Sequence, residues 1–182
     1  MIFKLPKLRY SYNDLEPNID KDTMEIHYFK YHQGYVDKLN LIVEGDASLK
    51  GVTAEYMLAD LGTISPEIKQ PVVNFAGGHV NNSFFRQIMS PEKTTPGELT
   101  NKVISSKWDS AELFLEEFAK RALGFFKTGW SWLVALNSQP GIDVTKTFNQ
   151  DSPLSIGQTN VSGIDIWGRV ETNFLDIERG PP

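Results

Sequence analysis

The sequence contains no cysteine. Disulfides, cysteine-ligated zinc and iron–sulfur clusters are therefore excluded, while a reducing compartment is compatible with the chain but not required by it. Long apolar runs are also missing: none approaches the roughly 20 residues that span a bilayer, so no membrane association is expected. The opening Met-Ile-Phe-Lys-Leu-Pro-Lys-Leu has neither the apolar core of a secretory signal nor an Arg/Ser-rich presequence. The cytoplasm is the default expectation, with a mitochondrial location as the alternative. Basic residues form no stripe and the formal net charge is -5, which argues against a polyanion groove and against direct nucleic-acid binding. There is no internal repeat and no low-complexity tract.

What is present suits a folded protein. The 182 residues are 40% hydrophobic and 12% aromatic, enough for one compact domain or two small ones packed together. Residues 1–18 read as extended and turn-rich. Asp20 can cap a helix over residues 21–43, with Ile19 as a hydrophobic staple and Gly45 as its stop. Residues 51–62 predict a shorter helix. Ser65-Pro66 can open a long one over 66–88, because proline fits a first turn. Gly77-Gly78 at its centre would each cost about 1 kcal/mol, tolerable where the backbone must approach another helix closely. The two long segments read as an antiparallel pair.

Residues 89–97 are a linker by composition. Beyond them, residues 98–106 and 110–126 carry helical patterning. The signal then turns to strand: Trp130, Trp132, Leu133, Val134 and Leu136 in one run, a Pro140-Gly141 turn, alternation over 142–148, and a third strand over 161–165. The expected fold class is α+β, with an N-terminal helical hairpin domain over 1–89 followed by an α/β domain over 90–182 built on a three-stranded antiparallel sheet. Residues 170–178 read as a helix or as frayed coil that Gly180-Pro181-Pro182 ends; no closing helix is expected after the sheet, so the C-terminal domain reads as truncated.

Particular motifs follow one another in order. They are Leu5-Pro6-Lys7-Leu8 with Tyr10-Ser11-Tyr12 and Leu15-Glu16-Pro17; the run from Met24 through His27 to His32, with Tyr35-Val36 and Leu39-Asn40; Phe75-Ala76-Gly77-Gly78-His79-Val80-Asn81-Asn82-Ser83; Gly129-Trp130-Ser131-Trp132-Leu133; Asn149-Gln150-Asp151; and Ile164-Asp165-Ile166-Trp167. Over residues 4–169 the chain resembles the iron/manganese superoxide dismutases. The resemblance implies one iron or manganese ion held by three histidines and an aspartate, with a solvent molecule as fifth ligand. Of those positions, His27 and Asp165 are kept. The other two hold Asn82 and Arg169, the latter in the run Trp167-Gly168-Arg169.

The surroundings implied by the resemblance are altered too. The glutamine that orients bound solvent falls on Asp143 by one alignment and Gly78 by another. A glutamate that crosses the family dimer falls on Gly168, and an interface tyrosine falls near Thr172. Tyr31 replaces a histidine, whereas His32 and the gateway Tyr35 remain. His79 corresponds to a histidine outside the ligand set and reads as structural or surface. Trp130, Trp132 and Trp167 form an aromatic shell in the family and read here first as core residues of the sheet. Lys30 and Arg86 read as solvated charges, with remnants of substrate steering toward an anion as the alternative; Arg86 stands where the family usually has tryptophan, suggesting an altered surface or an added partner.

A guanidinium has no lone pair to offer a metal. A divalent ion about 4 Å from it is opposed by roughly 8 kcal/mol at an effective dielectric of about 20. Four residues after Asp165 on a helix, Arg169 would pair with that carboxylate instead. The expectation is therefore no cofactor, with iron or manganese as the alternative. Two function classes follow. One is a non-catalytic superoxide-dismutase-like protein with a structural or assembly role, as a homo-oligomer or with protein partners. Catalytically dead proteins resembling this family serve mitochondrial ribosomes in some eukaryotes, so a mitochondrial or ribosomal complex is the specific form. The other is an iron/manganese superoxide dismutase converting superoxide to oxygen and hydrogen peroxide. A third origin, a decaying gene product, shares the first class's chemistry.

Overall fold

The computed structural model describes residues 3–124, 128–138 and 141–166. Its first long helical stretch is built from α1 (Lys21–Glu25), a π-helical segment (Ile26–His32) and α2 (Gln33–Gly45). The Asp20 carboxylate caps it, accepting the Thr23 N–H at 2.8 Å. A short α3 (Ala54–Ala59), capped by Thr53, leads to α4 (Pro66–Ile88). Proline opens α4 as expected, and Pro71 is accommodated inside it. Helices α2 and α4 pack together over a core of Val36, Leu39, Val43, Met57, Leu58, Val72 and Ala76.

After the linker come α5 (Glu98–Trp108) and α6 (Ala111–Leu123), then β1 (Gly129–Leu136), β2 (Ile142–Phe148) and β3 (Gln158–Asp165). The three strands form an antiparallel sheet in the order β2-β1-β3. This is the α+β arrangement that the sequence predicts. Strand β3 begins three residues earlier than the alternation suggests, because a bulge opposite Leu133/Val134 interrupts its register with β1.

The sheet lies between helices, and the period-two alternation of β1 decides what each layer receives. Leu133 faces a core with Val144, Ile164, Ile104, Phe114 and Phe118 from the α5–α6 side. Trp130, Trp132 and Val134 face the opposite way, onto Phe84 and Phe85 of α4. Trp130 and Trp132 stack with ring centroids 4.9 Å apart, and the Trp132 indole donates to the Thr147 hydroxyl at 2.9 Å. Gly163 is required beneath that indole: a Cβ there would lie 2.1 Å from the Trp132 ring. Helix α4 thus shares apolar contacts with both halves of the chain. Among the described residues, no helix is long and apolar enough to cross a membrane.

Candidate metal centre

Three elements converge below the tryptophan face. The π-helical segment carries His27, α4 carries Asn82 and Arg86, and the last residue of β3 is Asp165. A π-helical turn widens the spacing of side chains along one face, a distortion often found at functional sites. Trp130 pairs with Asp165 across the sheet, and its ring meets Phe85 edge-on, which ties the end of β3 to α4.

At the centre is an arginine. Arg86 is 5% exposed, so its reading as a solvated surface charge is corrected. It follows Asn82 by four residues and lies on the same helix face, and that face is turned into the protein. Its Nη1 donates to the Asn82 amide oxygen at 3.4 Å. Its Cζ stands 5.8 Å from the centroid of the Tyr28 ring, a cation–π contact. The Tyr10 hydroxyl donates to the Arg86 carbonyl at 3.3 Å. Nε and Nη2 are buried with no hydrogen-bond partner among the described residues.

Electrostatics connect this guanidinium to the rest of the site. Burial works against its charge, and Tyr10, Asp165 and Tyr28 act in its favour. Burial, then the Arg86 charge, holds His27 below its ordinary range. Burial pushes Tyr35 up, and the Asp165 charge adds to that. The ion pairs formed among the described residues are Lys21–Glu25, Lys107–Asp143 and Arg121–Glu117. Arg86 is in none of them, so its interaction with Asp165 acts through space.

The donor set is poorly suited to a transition metal. His27 and Asp165 offer an imidazole and a carboxylate. Asn82 offers little, because its Nδ2 donates to the Gly78 carbonyl at 2.9 Å and its oxygen accepts from Arg86. Among the described residues no group of three or more histidine, cysteine, aspartate or glutamate side chains could hold a metal ion. Iron or manganese requires several nitrogen and oxygen donors, and a guanidinium has none to give. The described residues do not fit such an ion. Trp167, Gly168, Arg169 and Thr172 lie outside the described residues, and with them the expected Arg169–Asp165 pair.

Two corrections concern the amide near the site. Asp143 is at the β2 edge, where Lys107 Nζ meets it at 2.9 Å and holds its carboxyl below the usual range. It is therefore not in the solvent-orienting place. The amide that reaches the site is Gln150, whose Nε2 donates to the Tyr35 hydroxyl at 3.0 Å. The Asn149-Gln150-Asp151 motif contains this residue, but its spacing gives no sign that the side chain reaches Tyr35. Gly78 has a steric role: a Cβ there would sit 2.5 Å from the Tyr35 ring. Its neighbour Gly77 admits the Gln150 carbonyl rather than another helix, since a Cβ would lie 1.9 Å from that oxygen.

His79 is half-buried and belongs to a second cluster. His32 Nε2 and His79 Nδ1 are 3.1 Å apart, and the Ser83 hydroxyl lies 3.3 and 3.4 Å from the same two nitrogens. Lys30 is exposed, near the Tyr31 ring. Trp130 and Trp132 are fully buried sheet residues.

Family models match both halves of the chain. Residues 2–90 match the iron/manganese superoxide dismutase alpha-hairpin domain, and residues 96–170 match the C-terminal domain of the same enzymes. The chain belongs to the iron/manganese superoxide dismutase family. Family membership and the donor chemistry at His27, Asn82 and Arg86 therefore point in different directions.

Proposed function

We propose that this chain is a non-catalytic member of the superoxide dismutase family with a structural or assembly role, working through protein partners or self-association in a larger complex. The observation that carries the reading is Asn82 bonded to a buried Arg86. One expected ligand position holds an amide whose oxygen is already engaged, and the neighbouring cation repels any divalent ion that Asp165 and His27 would attract. The fold around the site is nonetheless well filled, as a scaffold requires: paired tryptophans, close-packed glycines and a helix core. A mitochondrial or ribosomal complex remains the specific form of this proposal.

A second reading, an active dismutase, is favoured by Tyr35 and Gln150. Their hydrogen bond supplies an amide where Asp143 and Gly78 offered none. One experiment separates the readings. The purified chain is dialysed against iron or manganese, its metal content is measured by elemental mass spectrometry, and superoxide consumption is followed. The expected result is no turnover above that of free metal. Turnover abolished by a chelator and restored by either metal would establish the second reading instead.

A further inference from the structure

We infer that Arg86 is a built-in cation: its guanidinium takes the electrostatic place of a metal ion between α4, the π-helical segment and the end of β3, and keeps divalent ions out. The inference deepens the non-catalytic reading and rests on it for the identity of His27, Asn82 and Asp165 as former ligand positions. It assigns the blocking charge to a residue on α4 that is not one of the four ligand positions.

The geometry has three parts. First, the charge is inside. Arg86 is buried on a helix face that also presents Asn82, and its Nη1 reaches the Asn82 oxygen. Second, the groups around it suit a cation. The Tyr28 ring lies 5.8 Å from Cζ, and the Asp165 charge supports the guanidinium through space. A buried charge without such company is strongly disfavoured. Third, the cation engages the one oxygen with which Asn82 could have bound a metal. An ion entering between His27 and Asp165 would be repelled by the Arg86 charge, which already acts on both groups.

The consequence is specific. Restoring histidines at the two changed ligand positions does not restore metal binding while Arg86 is present. Manganese(II) binding is measured by equilibrium dialysis and elemental mass spectrometry on three full-length chains. One carries Asn82→His with Arg169→His. The second adds Arg86→Met, and the third adds Arg86→Lys. The Arg86→Met chain is expected to bind manganese at least about 100-fold more tightly than the other two. Equal affinity in the first and second chains, or in the second and third, overturns the inference.

A further measurement does not depend on those variants folding. Asp165→Asn keeps the shape of the side chain and removes the carboxylate that supports the buried charge. The expected result in the otherwise unmodified chain is an unfolding equilibrium constant at least about ten-fold larger; an unchanged constant overturns the inference. Superoxide turnover by the unmodified chain would sink the non-catalytic reading instead. Tight manganese binding in the chain with Asn82→His and Arg169→His alone would sink the role of Arg86 and leave that reading in place.

Discussion

His32 has no exposed surface, and its ring packs against His79 at 5.3 Å between centroids. Burial, aided by the charge of Arg86 and the neighbouring His79, takes it from 6.5 to about 3. The folded chain therefore keeps this ring neutral where the unfolded chain would protonate it. Stability present above about pH 6.5 is therefore lost as pH falls toward about 3. His27 and His79 are lowered as well and act in the same direction. Urea unfolding between pH 4 and 6.5 should show stability falling with acid. In His32→Gln the slope should be shallower by about one proton, close to 1.4 kcal/mol per pH unit. An identical slope in the variant would show that His32 titrates normally. At this scale the sequence was least legible. Charge on a helix is solvated in most proteins, and from sequence Arg86 reads the same way. Its four-residue spacing from Asn82, beside Phe84 and Phe85, was the available signal that its face turns inward. Which elements cover that face is a tertiary fact, and no local pattern reports it.

Elements were more legible than residues. The α4 helix opens at Ser65-Pro66 and β1 and β2 pair as an antiparallel hairpin because capping and turn chemistry are local. The π-helical segment was not legible, since its backbone widening leaves the apolar pattern nearly helical. Nor was the start of β3, where the bulge breaks strict alternation. Glycines in α4 show why an element's sequence can look wrong in isolation. Gly77 costs helix propensity, yet it admits the Gln150 carbonyl from the segment after β2. Gly77→Ala should destabilise the chain by about 2 kcal/mol or more, because backbone must move to clear the methyl. Gly45→Ala is the control. It lies at the end of α2, with nothing within 4 Å of a Cβ, and it should be neutral or slightly stabilising. Thermal unfolding of both variants checks the pair, and equal losses would argue against the close approach at Gly77.

Across the whole molecule, contacts from α4 help bind the helical half to the sheet half. Phe84 and Phe85 pack on the tryptophan face. Buried Asn81 donates from Nδ2 to the carbonyls of Gln150 and Asp151, each at 3.1 Å. Asn81→Ala leaves two carbonyls short of a donor and should cost about 2 to 4 kcal/mol, read as a lower denaturant midpoint. The proposed internal cation carries a consequence for how the chain responds to metal. An ion bound only by the folded state at a hundred times its dissociation constant would add about 2.7 kcal/mol to stability. In a family member that holds a metal, chelation should lower the unfolding temperature by several degrees. Here the internal cation at Arg86 is covalent and cannot be dialysed away. The unfolding temperature of the unmodified chain should therefore move by less than about 1 °C between excess manganese, excess iron and excess chelator. A rise of several degrees with either metal, reversed by chelator, would mean that a donor set forms in the folded chain despite Arg86. That result would contradict the reading of this fold as a scaffold that stands without its metal.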